Sequence, residues 1–499
     1  MNKTHDLPRP EYPRPQFKRE TYWVNLNGIW EFQFDDDNIG IKEKWYNFQK
    51  ENVFQKEILV PFCYQSKLSG INSNEFHDII WYKREFTLPE TILMKKVFLN
   101  CGAIDYICQI YINGDLAGSH EGGYTPIKLD ITDFVKKENI IVIRVKDPSK
   151  NVEIPRGKQF WEKKPKFIFY PRVSGIWQTI WIETVHPDYH IDRFKILPNI
   201  DSSEIFIEPK IFGKGSKNLK LRATVTFNEG LISQIELKLD FLGRIKKKRR
   251  DKAIIKEKLN ITDRLYKTQP LNEFKFKISI PEEKLYLWSP EEANLYDLSL
   301  IIFDSKTKEE YDKVISYFGM RKVSLSDSPN QNNLIKIGGR EYKSFNKLIL
   351  INNKPIYQKL LLLQGYWEKS LYTPPSEESI KKDIEFIKKF GFNGLRTHQK
   401  AFDPVFLYWC DKMGVLVWGE LGNSYAFSFD SQIKFLTQYA EMVNRDFSHP
   451  SIIAWTLLNE NWGVPGVEFD RKKRNYSVAL YYLIKSMDPT RLVIDDDGW

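Results

Sequence analysis

The sequence predicts a multidomain protein in which two all-β sandwiches precede part of a parallel β/α barrel. Three observations carry this prediction. The 499 residues suffice for about three domains, short alternating strands dominate up to Val323, and strands alternate with helical segments after Ile335. The composition, with 42% hydrophobic and 28% charged residues, is that of a globular protein and excludes a disulfide scaffold or a disordered tail.

The first block, from Leu26 to about Val185, consists of short alternating segments separated by turn signals, as in an all-β sandwich. Gly28 to Phe34 is one such segment, and Tyr106 to Ile112 is another. The second is followed by Asn113-Gly114, the strongest short hairpin signal. This block is rich in aromatic residues. Each of them either belongs to the core or offers a flat surface on which a sugar ring stacks. They are Trp23, Trp30, Trp81, Tyr82, Tyr124, Phe160, Trp161, Tyr170, Trp177 and Trp181.

The second block, from about Pro187 to Val323, also alternates, for example in Lys220 to Phe227 and Leu295 to Phe303. Its length and the lack of a helical period fit one immunoglobulin-like sandwich. The chain has a formal charge of +10, but its one dense basic run is Lys246 to Arg250. That run is predicted to be the solvated tip of a hairpin and not a nucleic-acid site.

After Ile335 the pattern is that of βα units with a parallel sheet. The predicted strands are Tyr357 to Leu363, Gly394 to Thr397, Val415 to Trp418, Ile452 to Leu458 and Leu492 to Ile494. The predicted helices are Glu377 to Phe390, Pro404 to Met413, Gln432 to Arg445 and Asn475 to Met487. A closed barrel has eight strands and typically about 250 residues, so this barrel is expected to be incomplete, with about five strands present.

Reactive groups of such barrels lie at the carboxyl ends of the strands. The polar residues at those positions are Gln364, Arg396, His398, Glu420, Asn459, Glu460 and Asp495 to Asp497. Glu460 is the first candidate for a general acid, because it follows a strand, stands beside an amide and precedes Trp462. The three aspartates suggest a metal site, but side chains at consecutive positions point in different directions. A solvated loop is therefore predicted for them.

Several motifs make the chain similar to the family 2 glycoside hydrolases, the β-galactosidase and β-glucuronidase group. In the last block these are TLLNENWGV (456–464), GFNGLRTHQK (391–400) and CDKMGVLVWGE (410–420). Earlier motifs are NLNGIWEFQFD (25–35), SGIWQTIWIE (174–183) and LYLWSPEEANLYDL (285–298). The resemblance implies a jelly-roll sugar-binding domain at 1–186, an immunoglobulin-like sandwich at 187–323, and the N-terminal part of a TIM barrel at 324–499.

The resemblance further implies a retaining β-glycosidase that hydrolyses O-glycosidic bonds with two carboxylates about 5 to 5.5 Å apart. Glu460 matches its acid/base, a role that needs a pKa raised by burial in a cleft. Asn459 matches the residue that binds the sugar 2-hydroxyl, and Arg396 matches the arginine that keeps the nucleophile ionised. The remaining predicted sugar-site residues are His398, Glu420, Gln364 and Trp462, the last as either a stacking surface or a wall of the cleft.

The family's nucleophile, a glutamate at the end of the seventh strand, is expected beyond Trp499. This polypeptide alone is therefore expected to be inactive or barely active. Two alternatives stay open: a non-catalytic carbohydrate-binding remnant, and one half of a split glycosidase. His398 is followed by Gln399-Lys400, and Leu363 precedes Gln364, so the sugar is not assigned.

The expected partner is a β-linked oligosaccharide or glycoside, and no nucleic acid, membrane, cofactor or metal is expected. No apolar run approaches the roughly 18 residues of a membrane helix, and the N-terminus has no signal-like segment, so a cytoplasmic location is predicted. A homo-oligomer formed through the jelly-roll faces is left open. Cys63, Cys101, Cys108 and Cys410 fit neither a zinc motif nor a disulfide framework and are predicted to be buried thiols.

Overall fold

The computed structural model of the chain describes residues 7–47, 52–213, 216, 218–239, 271–327, 334–337, 340–343 and 347–498. These residues form two antiparallel sandwiches followed by a parallel sheet with helices between its strands. The predicted basic run, Lys246 to Arg250, lies outside the described residues. No helix of the described ranges is both long and apolar enough to cross a membrane.

The first sandwich packs a six-stranded sheet against a four-stranded one around a shared apolar core. In sheet order, the six strands are Lys56–Val60, Gly28–Phe34, Ile79–Thr87, Glu138–Lys146, Ile107–Ile112 and Asp115–Glu121. The four are Ile127–Asp130, Lys96–Cys101, Ile180–Val185 and Trp23–Asn25, and a small pair joins Gly175–Ile176 to Ile104–Asp105. The predicted hairpin at Asn113-Gly114 is confirmed: both residues have positive φ, as a two-residue turn of this kind requires.

The buried aromatic residues of this block belong to three clusters. Trp30 and Tyr82 lie in the core between the two sheets, Trp81 lies in a smaller cluster, and Tyr124 and Trp177 pack with residues of the barrel. Trp30, Trp81, Tyr82, Tyr124 and Trp177 are fully buried. All four cysteines are buried and free, as predicted. Burial removes about 150–250 Å² of each aromatic side chain from water, so these rings stabilise the sandwich and its contact with the barrel.

The second sandwich recruits a strand from the start of the chain. Its five-stranded sheet runs Lys18–Arg19, Glu310–Phe318, Tyr296–Asp304, Leu219–Phe227 and Gly230–Lys238. The facing sheet contains His190–Asn199, Glu204–Phe212, Leu271–Glu273 and Phe276–Ser279. Arg19 is buried and contacts Asp312 at 3.2 Å and Glu183 of the first sandwich at 3.4 Å. This ion pair ties the two sandwiches together, which sequence periodicity does not reveal.

Short elements complete the sandwiches and the entry to the barrel. The small sheets are Val323–Asp327 with Lys347–Ile351 and Lys354–Pro355, and Leu334–Ile337 with Arg340–Lys343. Single turns of 3₁₀ helix occur at Pro15–Phe17, Lys67–Ser69, Glu90–Ile92 and Glu282–Lys284.

In the described residues the parallel sheet has five strands in sequential order. They are β1 (Leu360–Leu363), β2 (Gly394–Thr397), β3 (Leu416–Glu420), β4 (Ile452–Asn459) and β5 (Leu492–Asp497). The helices between them are α1 (Glu377–Lys389), α2 (Pro404–Met413), α3 (Phe429–Asp446) and α4 (Arg471–Met487). The bounds of β2 and α2 are those predicted, whereas β3, β4 and β5 each continue further than predicted.

Local sequence explains these elements. The side chain of Ser376 caps α1 by accepting a hydrogen bond from the Ser379 amide, and the helix buries Ile380, Ile384 and Ile387 on one face. Every residue of β4 is buried, as expected for a central parallel strand covered on both faces. The parallel arrangement brings the carboxyl ends of all five strands to one edge.

Candidate active site

The carboxyl ends of β2 to β5 place three polar side chains around one arginine. Arg396 donates from Nε to Glu420 Oε2 at 2.6 Å and from Nη2 to Asn459 Oδ1 at 2.7 Å. Its Nη1 donates to Asp497 Oδ2 at the end of β5. Because neighbouring parallel strands end at the same edge, residues far apart in sequence meet here. The structure therefore brings together Arg396, Glu420 and Asn459 as predicted, and adds Asp497.

The arginine cluster, which consists of Arg396, Glu420, Asn459 and Asp497, is largely buried. Its positive and negative charges compensate each other. The Glu420 side chain has no exposed surface, and the Arg396 side chain is 10% exposed. A guanidinium keeps its charge and fits carboxylate oxygens in a fixed fork. Removal of one partner from such a buried pair leaves the other charge uncompensated. Among the described residues, the Arg396 guanidinium donates hydrogen bonds to Glu420, Asn459 and Asp497. Its action on a nucleophile stays a prediction.

Several buried polar atoms at this edge have no hydrogen-bond partner. Among the described residues they include His398 Nδ1, Glu420 Oε1, Asn459 Nδ2 and Gln364 Oε1, all from predicted site residues. His398 Nδ1 lies 3.3 Å from Glu420 Oε1 but not in hydrogen-bond geometry. An unpaired buried polar atom costs about 1–3 kcal/mol. Buried polar groups left unpaired in this way call for a partner such as water or a ligand.

Glu460 follows β4 directly and stands outside the arginine cluster. Its φ of +50° and the +58° of Asn461 place two consecutive residues in the left-handed region. Its amide donates to the Asp497 carbonyl at 2.9 Å, which ties the turn to β5. The side chain is exposed among the described residues, in contrast to the cleft burial expected, and accepts a hydrogen bond from Trp462 Nε1 at 3.3 Å. Strained backbone of this kind is concentrated at functional sites.

The aspartates after the fifth strand do not form the predicted solvated loop. That prediction is wrong because β5 continues through Asp497 and pairs with β4. Asp497 contacts Arg396, Asp496 Oδ1 accepts a hydrogen bond from the Asn461 amide at 3.3 Å, and Asp495 is exposed. Burial raises the pKa of Asp496 to about 6. The positive charge of Arg396 compensates the negative charge of Asp497, which explains why an aspartate is tolerated at this strand end.

A long loop of the first sandwich, residues 147–174 and here called the sandwich loop, reaches the same edge of the barrel sheet. The amides of Arg156 and Gly157 both donate to the Asn423 carbonyl at 3.0 Å. The Tyr425 amide donates to the Val152 carbonyl at 2.8 Å, and the Tyr425 hydroxyl donates to the Gly157 carbonyl. This contribution could not be predicted from the sequence, because a loop carries no periodic signal for a contact with a distant domain.

Aromatic rings from the sandwich loop and the barrel form a wall beside Glu460. The Trp161 and Tyr425 ring centroids are 4.8 Å apart, and those of Phe169 and Tyr425 are 5.6 Å apart. Trp462 meets Tyr425 at 5.0 Å with an interplanar angle of 68°. Trp462 thus forms part of a wall, one of the two roles left open for it, and any stacking on a ligand stays a prediction.

Replacement of Gly157 by alanine is expected to loosen the sandwich loop. Gly157 has a φ of +57°, and an added Cβ would overlap the Gln399 carbonyl oxygen and lie 3.1 Å from the Gly422 Cα. Overpacking of this kind costs about 1–3 kcal/mol. The matched control is Gly70→Ala, since Gly70 has a φ of +86° but no neighbour within 4 Å. Chemical denaturation should show a larger loss for Gly157→Ala, and equal losses would contradict the docking of the loop.

The buried side chain of Asp105 anchors the sandwich loop through a hydrogen bond to Gln159. Gln159 Nε2 donates to Asp105 Oδ2 at 2.8 Å, and Gln159 Oε1 accepts a hydrogen bond from the Val173 amide at 2.8 Å. Asp105 is 3% exposed. Burial, together with the charge of Asp147, raises the pKa of Asp105 to about 8. Asp147 instead has Arg156 at 3.9 Å and Arg172 at 3.8 Å, so Asp105 is the acid expected to hold the proton.

The free energy of unfolding should depend on pH through the protonation of Asp105. A carboxyl whose pKa is raised in the folded state binds its proton more tightly there, so stability falls as pH rises from the unfolded value of 3.8 towards about 8. Asp105→Asn removes this dependence and should stabilise the protein at pH 8 by up to about 5 kcal/mol, with little effect at pH 4. Asp147→Asn, which removes a charge beside two arginines, should destabilise instead. Thermal unfolding from pH 4 to pH 8 measures both, and a pH-independent effect of Asp105→Asn would contradict the assignment.

The described residues contain no group of three or more His, Cys, Asp or Glu arranged to hold a metal ion. The site consists of an arginine cluster, the Glu460 carboxylate after β4, which has no ion-pair partner among the described residues, unpaired polar atoms and an aromatic wall. Such a set can bind hydroxyl groups and exchange a proton with a bound molecule.

Comparisons with known proteins agree with this architecture. Models of the glycosyl hydrolases family 2 match the chain in three successive parts: the sugar binding domain at residues 23–177, a second family 2 domain at 190–321, and the TIM barrel domain at 344–498. The chain is 24% identical over 447 residues to a β-galactosidase of Thermoanaerobacter pseudethanolicus, covering 88% of this chain and 50% of the relative. A β-glucuronidase of Felis catus is 22% identical over 521 residues, covering 97% of this chain and 69% of the relative.

A solved structure also shares the fold. The β-glucuronidase from Ruminococcus gnavus in complex with D-glucuronic acid superposes with a TM-score of 0.72 at 20% identity, covering 96% of this chain and 73% of that chain. This chain spans about half the length of the bacterial curated relatives that it matches. Because models of the same family match its sandwich and barrel parts in the family's order, the chain belongs to glycoside hydrolase family 2.

Proposed function

We propose that this chain carries the acid/base side of the active site of a retaining β-glycosidase that hydrolyses O-glycosidic bonds. The observation that supports this most strongly is the position of Glu460. It is a carboxylate without an ion-pair partner among the described residues, placed at the carboxyl end of β4 next to the buried arginine cluster. Neighbours named β-galactosidase and β-glucuronidase support the same class of reaction.

In the proposed mechanism Glu460 first donates its proton to the glycosidic oxygen as the bond to the anomeric carbon breaks. The second carboxylate attacks that carbon from the opposite face and forms a glycosyl-enzyme. Glu460 then takes a proton from water, which releases the sugar with its configuration retained. The family resemblance assigns the nucleophile to a glutamate at the end of the seventh strand of the barrel.

The other predicted residues bind the sugar in this proposal. Asn459 is fixed from two sides, since its Oδ1 accepts from Arg396 at 2.7 Å and its amide donates to Asn423 Oδ1 at 3.0 Å. Its Nδ2 is left to donate to the 2-hydroxyl, an interaction that strengthens in the transition state. His398, Glu420 and Gln364 offer their orphaned atoms to further hydroxyl groups.

The test is hydrolysis of p-nitrophenyl β-glycosides of several sugars by the full natural polypeptide, with the first-formed product identified by proton NMR. The proposal predicts release of the β-anomer before mutarotation. Release of the α-anomer, or no hydrolysis of any β-glycoside by the folded protein, would overturn it.

A further inference from the structure

Arg321 is a buried cation at the opposite end of the barrel sheet from the proposed active site. It lies at the junction of the second sandwich with the barrel and is 6% exposed. Its Nε donates to the Pro450 carbonyl and its Nη2 to the Ile452 carbonyl, each at 2.7 Å. Ile452 begins β4, and Glu460 follows its other end. The eight residues of β4 rise about 3.3 Å each, so the two ends are roughly 23 Å apart.

The Arg321 guanidinium forms no ion pair with any described carboxylate. The charges of Asp488 and Asp411 act on it from a distance. Asp488 Oδ2 is taken up by Arg491 Nη1 at 2.7 Å, and Asp411 Oδ2 accepts from the Tyr317 hydroxyl at 2.8 Å. Burial, followed by the charge of Arg491, lowers the pKa of Arg321 to about 9, so its charge persists at neutral pH. A buried charge without a counter-charge is unfavourable.

One nitrogen of this guanidinium is left over. Nη1 donates to no described residue, and it is not among the fully enclosed side-chain atoms that lack a partner. It therefore keeps contact with accessible space. The space that Arg321 lines is a cavity of about 280 Å³ between the second sandwich and the barrel, here called the junction cavity. A guanidinium presents its donors in a rigid fork that fits a carboxylate.

The rest of the junction cavity is mainly apolar. Its volume is near the lower end of the roughly 300–1,000 Å³ of small-molecule sites. Ser448 contributes a hydroxyl oxygen, which accepts from the Ile196 amide at 3.3 Å and donates to no described group. The apolar side chains come from both domains: Ile196, Ile200, Phe206, Phe318, Val323 and Phe447. Such walls favour a ligand with a hydrophobic body.

The other cations that line the junction cavity each have a carboxylate partner. The pairs are Arg491 with Asp488 at 2.7 Å, Lys322 with Asp201 at 2.6 Å and Lys275 with Glu208 at 3.0 Å. Among the described residues of the cavity, one positive charge is therefore left to be neutralised. A ligand with a single negative charge meets this need. A phosphate group, with about −1.5 to −2 charges, or a hydroxyl-rich acid would place excess polarity against the apolar walls.

We propose that the junction cavity binds a small monocarboxylate with an apolar body, such as an arylalkanoic acid. Its carboxylate pairs with Arg321 through Nη1, and its body packs on the aromatic and aliphatic walls. A charge-assisted hydrogen bond of this kind is about twice as strong as a neutral one. The cavity lies at the amino end of β4, so this site is separate from the glycoside site and does not depend on the proposed function.

The test is calorimetry on the full natural polypeptide with pairs of probes that differ in charge alone. The probes are 3-phenylpropionate and hexanoate, each against its neutral amide. The wild type should bind each acid at least tenfold more tightly than the amide. Arg321→Met should weaken binding of the acids at least tenfold and change that of the amides less than twofold. The control is Arg222→Met, since Arg222 belongs to the second sandwich and pairs with Glu236 at 3.1 Å outside the cavity.

A second variant keeps the guanidinium, because Arg321 also holds two carbonyls at the start of β4. Ile200 is a partly buried turn residue that lines the junction cavity. Ile200→Trp fills the cavity and should abolish binding of acids and amides alike, with the circular dichroism of the wild type. Absence of acid binding by the wild type would overturn the proposal. Equal binding of acid and amide, or acid binding that Ile200→Trp leaves unchanged, would overturn it as well.

Discussion

Glu460→Gln is expected to slow hydrolysis of a β-glycoside with a poor leaving group by about 10²–10⁴-fold, because glutamine has no proton to donate to the departing oxygen. With a 2,4-dinitrophenyl leaving group, which departs without protonation, the first step should be nearly unaffected. The measurement is kcat/KM for a series of aryl β-glycosides, plotted against the pKa of the leaving phenol. The slope should become steeper in the variant.

Glu468→Gln is the matched control for this prediction. Glu468 is the next glutamate along the chain, is exposed, and accepts a hydrogen bond from Asn461 Nδ2 at 3.1 Å. It lies outside the proposed machinery, so its variant should follow the wild-type slope. Equal slowing of activated and unactivated substrates by Glu460→Gln would contradict the acid/base role.

Arg396→Met is expected to have the largest effect on stability. It leaves the fully buried Glu420 and the partly buried Asp497 without their cation. Loss of one partner from a buried pair costs about 3–5 kcal/mol in the free energy of unfolding. Activity should fall more in kcat than in KM if Arg396 also acts on the nucleophile. Denaturant titration of the folded protein measures the first effect, and Arg471→Met, at the exposed start of α4, is the control.

A second substitution tests the electrostatic origin of this loss. In the double variant Arg396→Met with Glu420→Gln, the buried charge is removed together with its partner. Stability should recover by about 1 kcal/mol or more relative to Arg396→Met alone, as expected for residues in direct contact. Strictly additive losses would contradict a charge-based explanation of the cluster.

Sequence periodicity predicted the barrel elements well because each helix and strand is shaped by local burial. The four-residue strand that contains Arg396 and the helix that begins at Pro404 have the predicted bounds. Residues at strand ends could be found for the same reason, since strand direction alone brings Arg396, Glu420 and Asn459 to one edge.

Features that depend on contacts between distant segments could not be predicted in this way. Asp497 was predicted to lie in a loop, because a carboxylate is unexpected in a strand. Its contact with Arg396 accounts for this position. The place of Lys18–Arg19 in the second sandwich depends on pairing with a strand near residue 315. The docking of the sandwich loop gave no signal, because the contact between Gly157 and Asn423 joins segments that are distant in sequence.

The most direct test of the account is azide rescue of Glu460→Ala with a 2,4-dinitrophenyl β-glycoside of the preferred sugar. If Glu460 is the acid/base, the glycosyl-enzyme still forms, and azide attacks it in the space left by the side chain without needing a base. The account predicts a rate increase of roughly tenfold or more and a β-glycosyl azide product, identified by NMR. No rescue, or formation of the α-glycosyl azide, would contradict the assignment of Glu460.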